Sequence, residues 1–280
     1  MLALLKRNFL LYFRNRSGVF FSLLGALISF ILYIIFLQKN LTDAWAQLPN
    51  SGPVLNNWLM SGTLAVTGIT TSLAALTQLV KDRERQVDQD LYLSDQGKWR
   101  LPFSYLTSAI IISFFMQALM YVLMCGYFRE VPALSLLPEV LPIMLLSSLL
   151  SSLVNAIFVY FFHSVDSLGK FSTIVGTASG FLVGTYVPLG VLPDFAQLLM
   201  KCTPATYIAA LYRQVLMKEA LNETFKGQDN LLQEFQEKMG VQLKWQALLT
   251  KEQTYLIVLG GILLALGIWI SLAKRSSKRK

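Results

Sequence analysis

The chain has 280 residues, of which 54% are hydrophobic and 14% are charged, against a charged share of roughly 25% in soluble domains. Such a balance excludes an ordinary soluble domain and points to a membrane. The formal charge of +8 does not mark a nucleic-acid binder, because the basic residues stand in short runs beside apolar stretches, as the positive-inside rule describes.

Residues 1–16 place Leu2, Leu5, Phe9, Tyr12 and Phe13 near helical spacing, with Lys6, Arg7, Arg14 and Arg16 between and after them. This pattern predicts a helix lying on the inner membrane surface. An apolar run over 17–37 follows and is long enough to cross a hydrocarbon core of ~30 Å. A signal peptide has a shorter apolar core and a small-residue cleavage site, so the run reads as a retained first span. After a polar loop, 57–80 forms a second span carrying Ser61, Thr63, Thr67, Thr70, Thr71, Ser72 and Thr77. Hydroxyls at such positions bond back to their own helix or line a path, and the residues alone leave both open.

Residues 81–100 are the most charged segment. Their few apolar residues cannot form a core, so the segment either meets a partner or is a solvated loop. Spans three and four are predicted over 101–127 and 140–162. His163, the only histidine, stands at the inner end of span four with no Cys or carboxylate cluster beside it, and it is read as an interfacial residue rather than a metal ligand. Cys125 and Cys202 make no disulfide framework. Span five covers 171–192, with Gly176, Gly180 and Gly184 at four-residue spacing on a face that can press closely on another helix. Pro188, Pro193 and Pro204 then break the chain into short segments. Residues 193–254 alternate charged and apolar residues without a run long enough to cross, and read as an outer cap. Span six, 255–272, ends in a basic tail.

Basic residues number four at the N-terminus, five in 81–100, one at Lys170 and five at the C-terminus, against Lys39 and Arg129 on the opposite short loops. By the positive-inside rule both termini are cytoplasmic. The expected fold is an all-α membrane protein of six spans with an N-terminal interfacial helix, in one domain over 1–280.

The run Pro188-Leu-Gly-Val-Leu192-Pro193, followed by Thr203-Pro204-Ala-Thr206-Tyr207, resembles the permease subunits of type-2 ATP-binding-cassette (ABC) exporters. By itself this stretch also fits a proline-ended span with a loop. The resemblance implies that broken, re-entrant helices carrying Pro188, Pro193, Pro204 and Tyr207 separate spans five and six. It also implies that the inner loop docks into a separate ATPase subunit through Arg83, Glu84, Arg85, Asp90, Leu91 and Tyr92. That family often has a proline next to the serine that closes this segment, where this chain has Asp95. Two permease subunits, identical or paired with a related one, would enclose a path formed by spans one, two and five. ATP and magnesium would sit on the partner ATPase, and the permease would work by alternating access in the plasma membrane, in contact with lipid. The chain's small size and lack of a fused ATPase resemble bacterial examples.

No G-x-x-x-x-G-K-[ST] motif occurs, so the chain is not expected to cradle a nucleotide. It is expected to have no catalytic, cofactor or metal site of its own. The spans carry no charge near their middles, where ion-coupled transporters keep ionisable groups. This weighs against an ATP-independent transporter or channel, and a membrane anchor or immunity protein is the other alternative. The lack of charge also suggests an apolar or amphipathic cargo such as a drug, a lipid or a hydrophobic peptide.

Overall fold

A computed structural model describes residues 1–45, 51–93, 97–128 and 136–279. Among them the regular structure is helical, apart from one antiparallel bridge between Lys244 and Leu248. Helix α1 (Leu2–Arg14) gives way to α2 (Arg16–Leu32) at Asn15, whose side chain accepts from the Gly18 N–H, satisfying one of the free donors of a helix start. A π turn (Tyr33–Leu37) joins α2 to α3 (Gln38–Ala44) without a break. Then come α4 (Ser51–Glu84), α5 (Val87–Leu93), α6 (Gly97–Phe128), α7 (Leu137–Val159) and α8 (Val165–Leu182). A 3-10 turn (Leu189–Val191) leads to α9 (Asp194–Lys201), α10 (Pro204–Leu216), α11 (Lys218–Thr224), α12 (Asp229–Lys238) and α13 (Lys251–Arg279).

Five helices are long and apolar enough to cross a membrane: Arg16–Asp43, Gly52–Glu84, Trp99–Phe128, Leu137–Val159 and Lys251–Arg275. Helix α8 is not among them. The expected span over 171–192 is displaced, since the helix begins at Val165 and ends at Leu182. At its start the Ser164 side chain accepts from the Ser167 N–H at 3.2 Å, so the polar turn is drawn into the helix. At its end the N–H groups of Thr185 and Tyr186 both return to the Gly180 carbonyl, at 2.8 and 3.3 Å. Gly184 takes φ +70°, the left-handed turn that closes many helices and that glycine adopts without penalty.

Helix α4 is the centre of the molecule and packs against α2, α6, α7, α8 and α10. Its hydroxyls bond back along the helix: Ser61, Thr67, Thr70, Thr71, Ser72 and Thr77 each donate to the carbonyl four residues earlier. The Thr63 hydroxyl is buried without a partner among the described residues. All but Thr70 and Thr77 are buried inside the bundle, so most of this stripe packs against neighbouring helices.

The core has three levels. At the end that holds both termini, Leu4, Val80, Leu101, Tyr105, Leu168 and Trp269 pack together. In the middle, Met60, Leu64, Ile143, Met144, Leu211 and Tyr212 do so. At the opposite, cap end the cluster is Tyr33, Trp58, Met217, Phe225, Phe235 and Met239. Around the middle, Phe20 and Phe21 of α2, Phe115 and Val122 of α6, and Leu256, Leu263 and Leu264 of α13 are exposed. Such a girdle is stable in lipid, whose tails are as apolar as these side chains.

Candidate coupling surface and open helix face

The charged turn between α4 and α6 is anchored at its root by a buried carboxylate. Asp82 accepts both guanidinium nitrogens of Arg7 at 2.8 and 2.9 Å, the Tyr105 hydroxyl at 2.5 Å and the Gln78 amide at 2.8 Å. The hydrogen bond to Asp82 raises the Arg7 guanidinium above its already high ordinary value. This two-pronged pair fastens α1 to α4 and α6. Asn8, also buried, adds a 3.4 Å bond to Ser108.

The next residues turn toward their own bundle. Arg83 donates to the carbonyls of Tyr160 and Phe162, at 3.2 and 2.9 Å, just past the C-terminal end of α7. The Glu84 carboxylate accepts from the Val165 N–H at 3.4 Å, at the start of α8. A cation at a helix C-terminus and an anion at an N-terminus each complement the helix dipole. Gln86 has φ +58° and reverses the chain into α5. Arg85, Gln86, Gln89 and Asp90 are exposed, and Leu91 is half-buried against the terminal-end cluster. The Tyr92 side chain lies outside the described residues. Of the six residues assigned to ATPase docking, Arg83 thus faces inward and Glu84 reaches the α7–α8 corner, while Arg85 and Asp90 point outward.

Helix α8 has two unlike sides. One packs on α4 and α2. The other exposes Asp166, Gly169, Lys170, Thr173, Thr177 and Phe181, with Thr173 and Thr177 bonded to the carbonyls of Gly169 and Thr173 at 3.1 and 2.9 Å. The three glycines of this region do not share one face. Gly184 lies beyond the helix end, and nothing stands within 4 Å of where a Gly176 side chain would begin. Gly180 is covered by the Tyr186 ring of the same chain, whose Cζ would lie 2.2 Å from an added Cβ.

After α8 the prolines mark each corner. Pro188 precedes the 3-10 turn, Pro193 is the N-cap residue of α9, and Pro204 is the first residue of α10, where a missing N–H costs nothing. The Tyr207 hydroxyl donates to the Lys201 carbonyl at 2.8 Å and accepts from the Trp245 indole at 3.0 Å. Helix α10 is buried along nearly its whole length. Its Tyr212 hydroxyl donates to Gln117 of α6 at 2.8 Å, and the Gln117 amide donates to Ser148 of α7 at 2.8 Å.

Arg213, 1% exposed, is a functional candidate that sequence reasoning missed. It donates to the carbonyls of Val183, Gly184 and Gly240 at 3.1, 2.8 and 3.1 Å and lies 5.2 Å from the Trp58 ring centre. The Trp58 indole in turn donates to the Met239 carbonyl at 2.8 Å. The end of α8, helix α4 and the cap therefore meet on one cation. A lone arginine in the apolar run Thr206–Leu216 was the available signal.

A long central helix clamped at a charged turn, a half-open neighbour and a proline-cornered return are matched by one family model, ABC-2 type transporter, over residues 1–217. The chain belongs to the ABC-2 type transporter family. The matched region takes in α1 to α10. As an ABC-2 membrane domain the chain is a permease subunit of an ABC transporter, a transport component rather than a catalyst. No curated protein matches it.

Proposed function

We propose that this ABC-2 permease is one half of an exporter that moves an apolar or amphipathic molecule out of the cell by alternating access, driven by a separate ATPase that holds ATP and magnesium. In this reading the terminal end faces the cytoplasm, in keeping with the basic residues gathered there. Helix α8 is the fifth of six crossings: its 18 residues rise about 27 Å, close to the ~30 Å of a hydrocarbon core. Helices α9 and α10 form the re-entrant return, and α11 and α12 form the outer cap. The ATPase docks on Arg85, Gln86, Gln89 and Asp90.

The observation that carries the proposal is the open side of α8. On that side the small or hydroxyl-bearing Gly169, Thr173 and Thr177 stand exposed beside the apolar Ile174 and Phe181, and small and hydroxyl-bearing residues suit close helix approach or a path wall. A second permease subunit facing this row would enclose a path between the two copies.

The test uses Thr177→Cys in a chain whose Cys125 and Cys202 are replaced by Ser. Expressed with a candidate ATPase, the variant should form crosslinked subunit pairs, bind the ATPase, and lose export of a fluorescent amphiphile on crosslinking. Export at the normal rate by crosslinked pairs, or absence of pairs, would refute the path at α8.

A further inference from the structure

At the cap end, between α9 and α12, lies a pocket of about 370 Å³. Its walls carry Lys201, Lys238, Lys244, Glu234, Glu237 and Trp245. Gly190 brings the 3-10 turn against α12, so close that an added Cβ would lie 2.7 Å from the Lys238 Cα. The two glutamates are already engaged: Glu234 with Lys238 at 2.6 Å, and Glu237 with Lys244 at 2.9 Å. Lys201 has no ion-pair partner among the described residues, so the pocket carries an uncompensated positive charge.

The same helix that supplies Lys201 is strongly two-sided. Phe195, Leu198 and Leu199 of α9 are 75%, 54% and 58% exposed, on the face adjoining the edge that bears Gln197 and Lys201. Trp245 is 51% exposed and hydrogen-bonds Tyr207. Trp245, held through its indole to the buried Tyr207 and standing beside an apolar helix face, is of the residue type enriched at the boundary between hydrocarbon and headgroups. A ligand with a negative head and an apolar tail fits both features at once.

We propose that this pocket binds the phosphate headgroup of an anionic phospholipid from the leaflet at the cap end, with Lys201 as its counter-charge and the lipid tail lying along Phe195, Leu198 and Leu199. The site holds α9 at the membrane surface and is independent of the cargo and of the ATPase. Lys201 meets Tyr207 through its backbone carbonyl, and among the described residues no hydrogen bond or ion pair uses its side chain, so that side chain can be changed without disturbing the fold.

The experiment reconstitutes the full chain in vesicles mixing brominated phosphatidylglycerol with phosphatidylcholine. It reads the bromine quenching of Trp245 as the difference between the natural chain and Trp245→Phe. Phosphatidylglycerol should associate at Trp245 about fivefold more strongly than phosphatidylcholine, the ratio that one lysine near a lipid surface supports. In Lys201→Gln the ratio should fall to about one. Quenching that simply follows the lipid mole fraction in the natural chain overturns the proposal, as does an undiminished preference in Lys201→Gln. If millimolar glycerol phosphate alone abolishes the preference, the ligand is a soluble phosphate and the lipid assignment fails.

Discussion

Arg213 has traded water for three carbonyls and the face of an indole. Two of those carbonyls, from Val183 and Gly184, stand at the C-terminal end of α8, where the helix dipole places partial negative charge. Arg213→Met keeps the volume but orphans all three acceptors. The expected loss is about 3 kcal/mol, seen as a lower thermal unfolding temperature of the full chain in detergent. Lysine at this position presents one compact charge and cannot match the spread guanidinium, so it should rescue only part of the loss. Gly180→Ala sets a methyl against the Tyr186 ring, and an overpacking cost of about 1–3 kcal/mol is expected by the same assay. Unchanged unfolding would show that the ring moves aside freely. The glycine spacing set Gly180 against another helix, and what covers it is Tyr186 of the turn that follows. The spacing assumed a continuing helix, whereas the turn at Gly184 folds Tyr186 of the same chain back over it.

Among the elements, the long apolar runs were legible because hydropathy over about 20 residues is a strong signal. The end of α8 was not, since the residues after Leu182 are as apolar as those before. Only the left-handed Gly184 separates helix from turn there. The charged loop shows the same division. The family resemblance placed Arg83 and Arg85 together on a docking surface, and nothing in the run Lys81–Gln86 says which of them turns inward. Their roles are now separable. Arg83→Glu would set a carboxylate against the carbonyls of Tyr160 and Phe162, opposed by the dipole of α7. It should lower stability by about 1–2 kcal/mol. Arg85→Glu, on an exposed residue, should leave unfolding unchanged and weaken ATPase binding in a pull-down. The reverse result would remove Arg85 from the docking surface.

For the whole molecule, the orientation can be tested in the cysteine-free chain with Gln228→Cys in the cap and Lys274→Cys near the C-terminus. An impermeant maleimide added to intact cells should label the first and spare the second. The opposite pattern would invert the assigned sidedness. As local structure, the charged turn between α4 and α6 was legible from its charge density and the proline corners from their spacing. The Arg7 to Asp82 clamp was hidden because its members lie 75 residues apart and each looked like an ordinary charge beside a span. The feature that joins these distant parts is α4. Its 34 residues rise about 51 Å, well beyond the hydrocarbon thickness, and it meets Arg7 and Tyr105 through Asp82 near one end and Met239 and Arg213 through Trp58 near the other. A continuous helix of that length acts as a lever. If its lower end is pivoted by about 5°, the far end sweeps about 4 Å, the width of a methylene chain, so under the proposed coupling a small push at the turn between α4 and α6 would arrive at the cap as a displacement on the scale of a lipid tail.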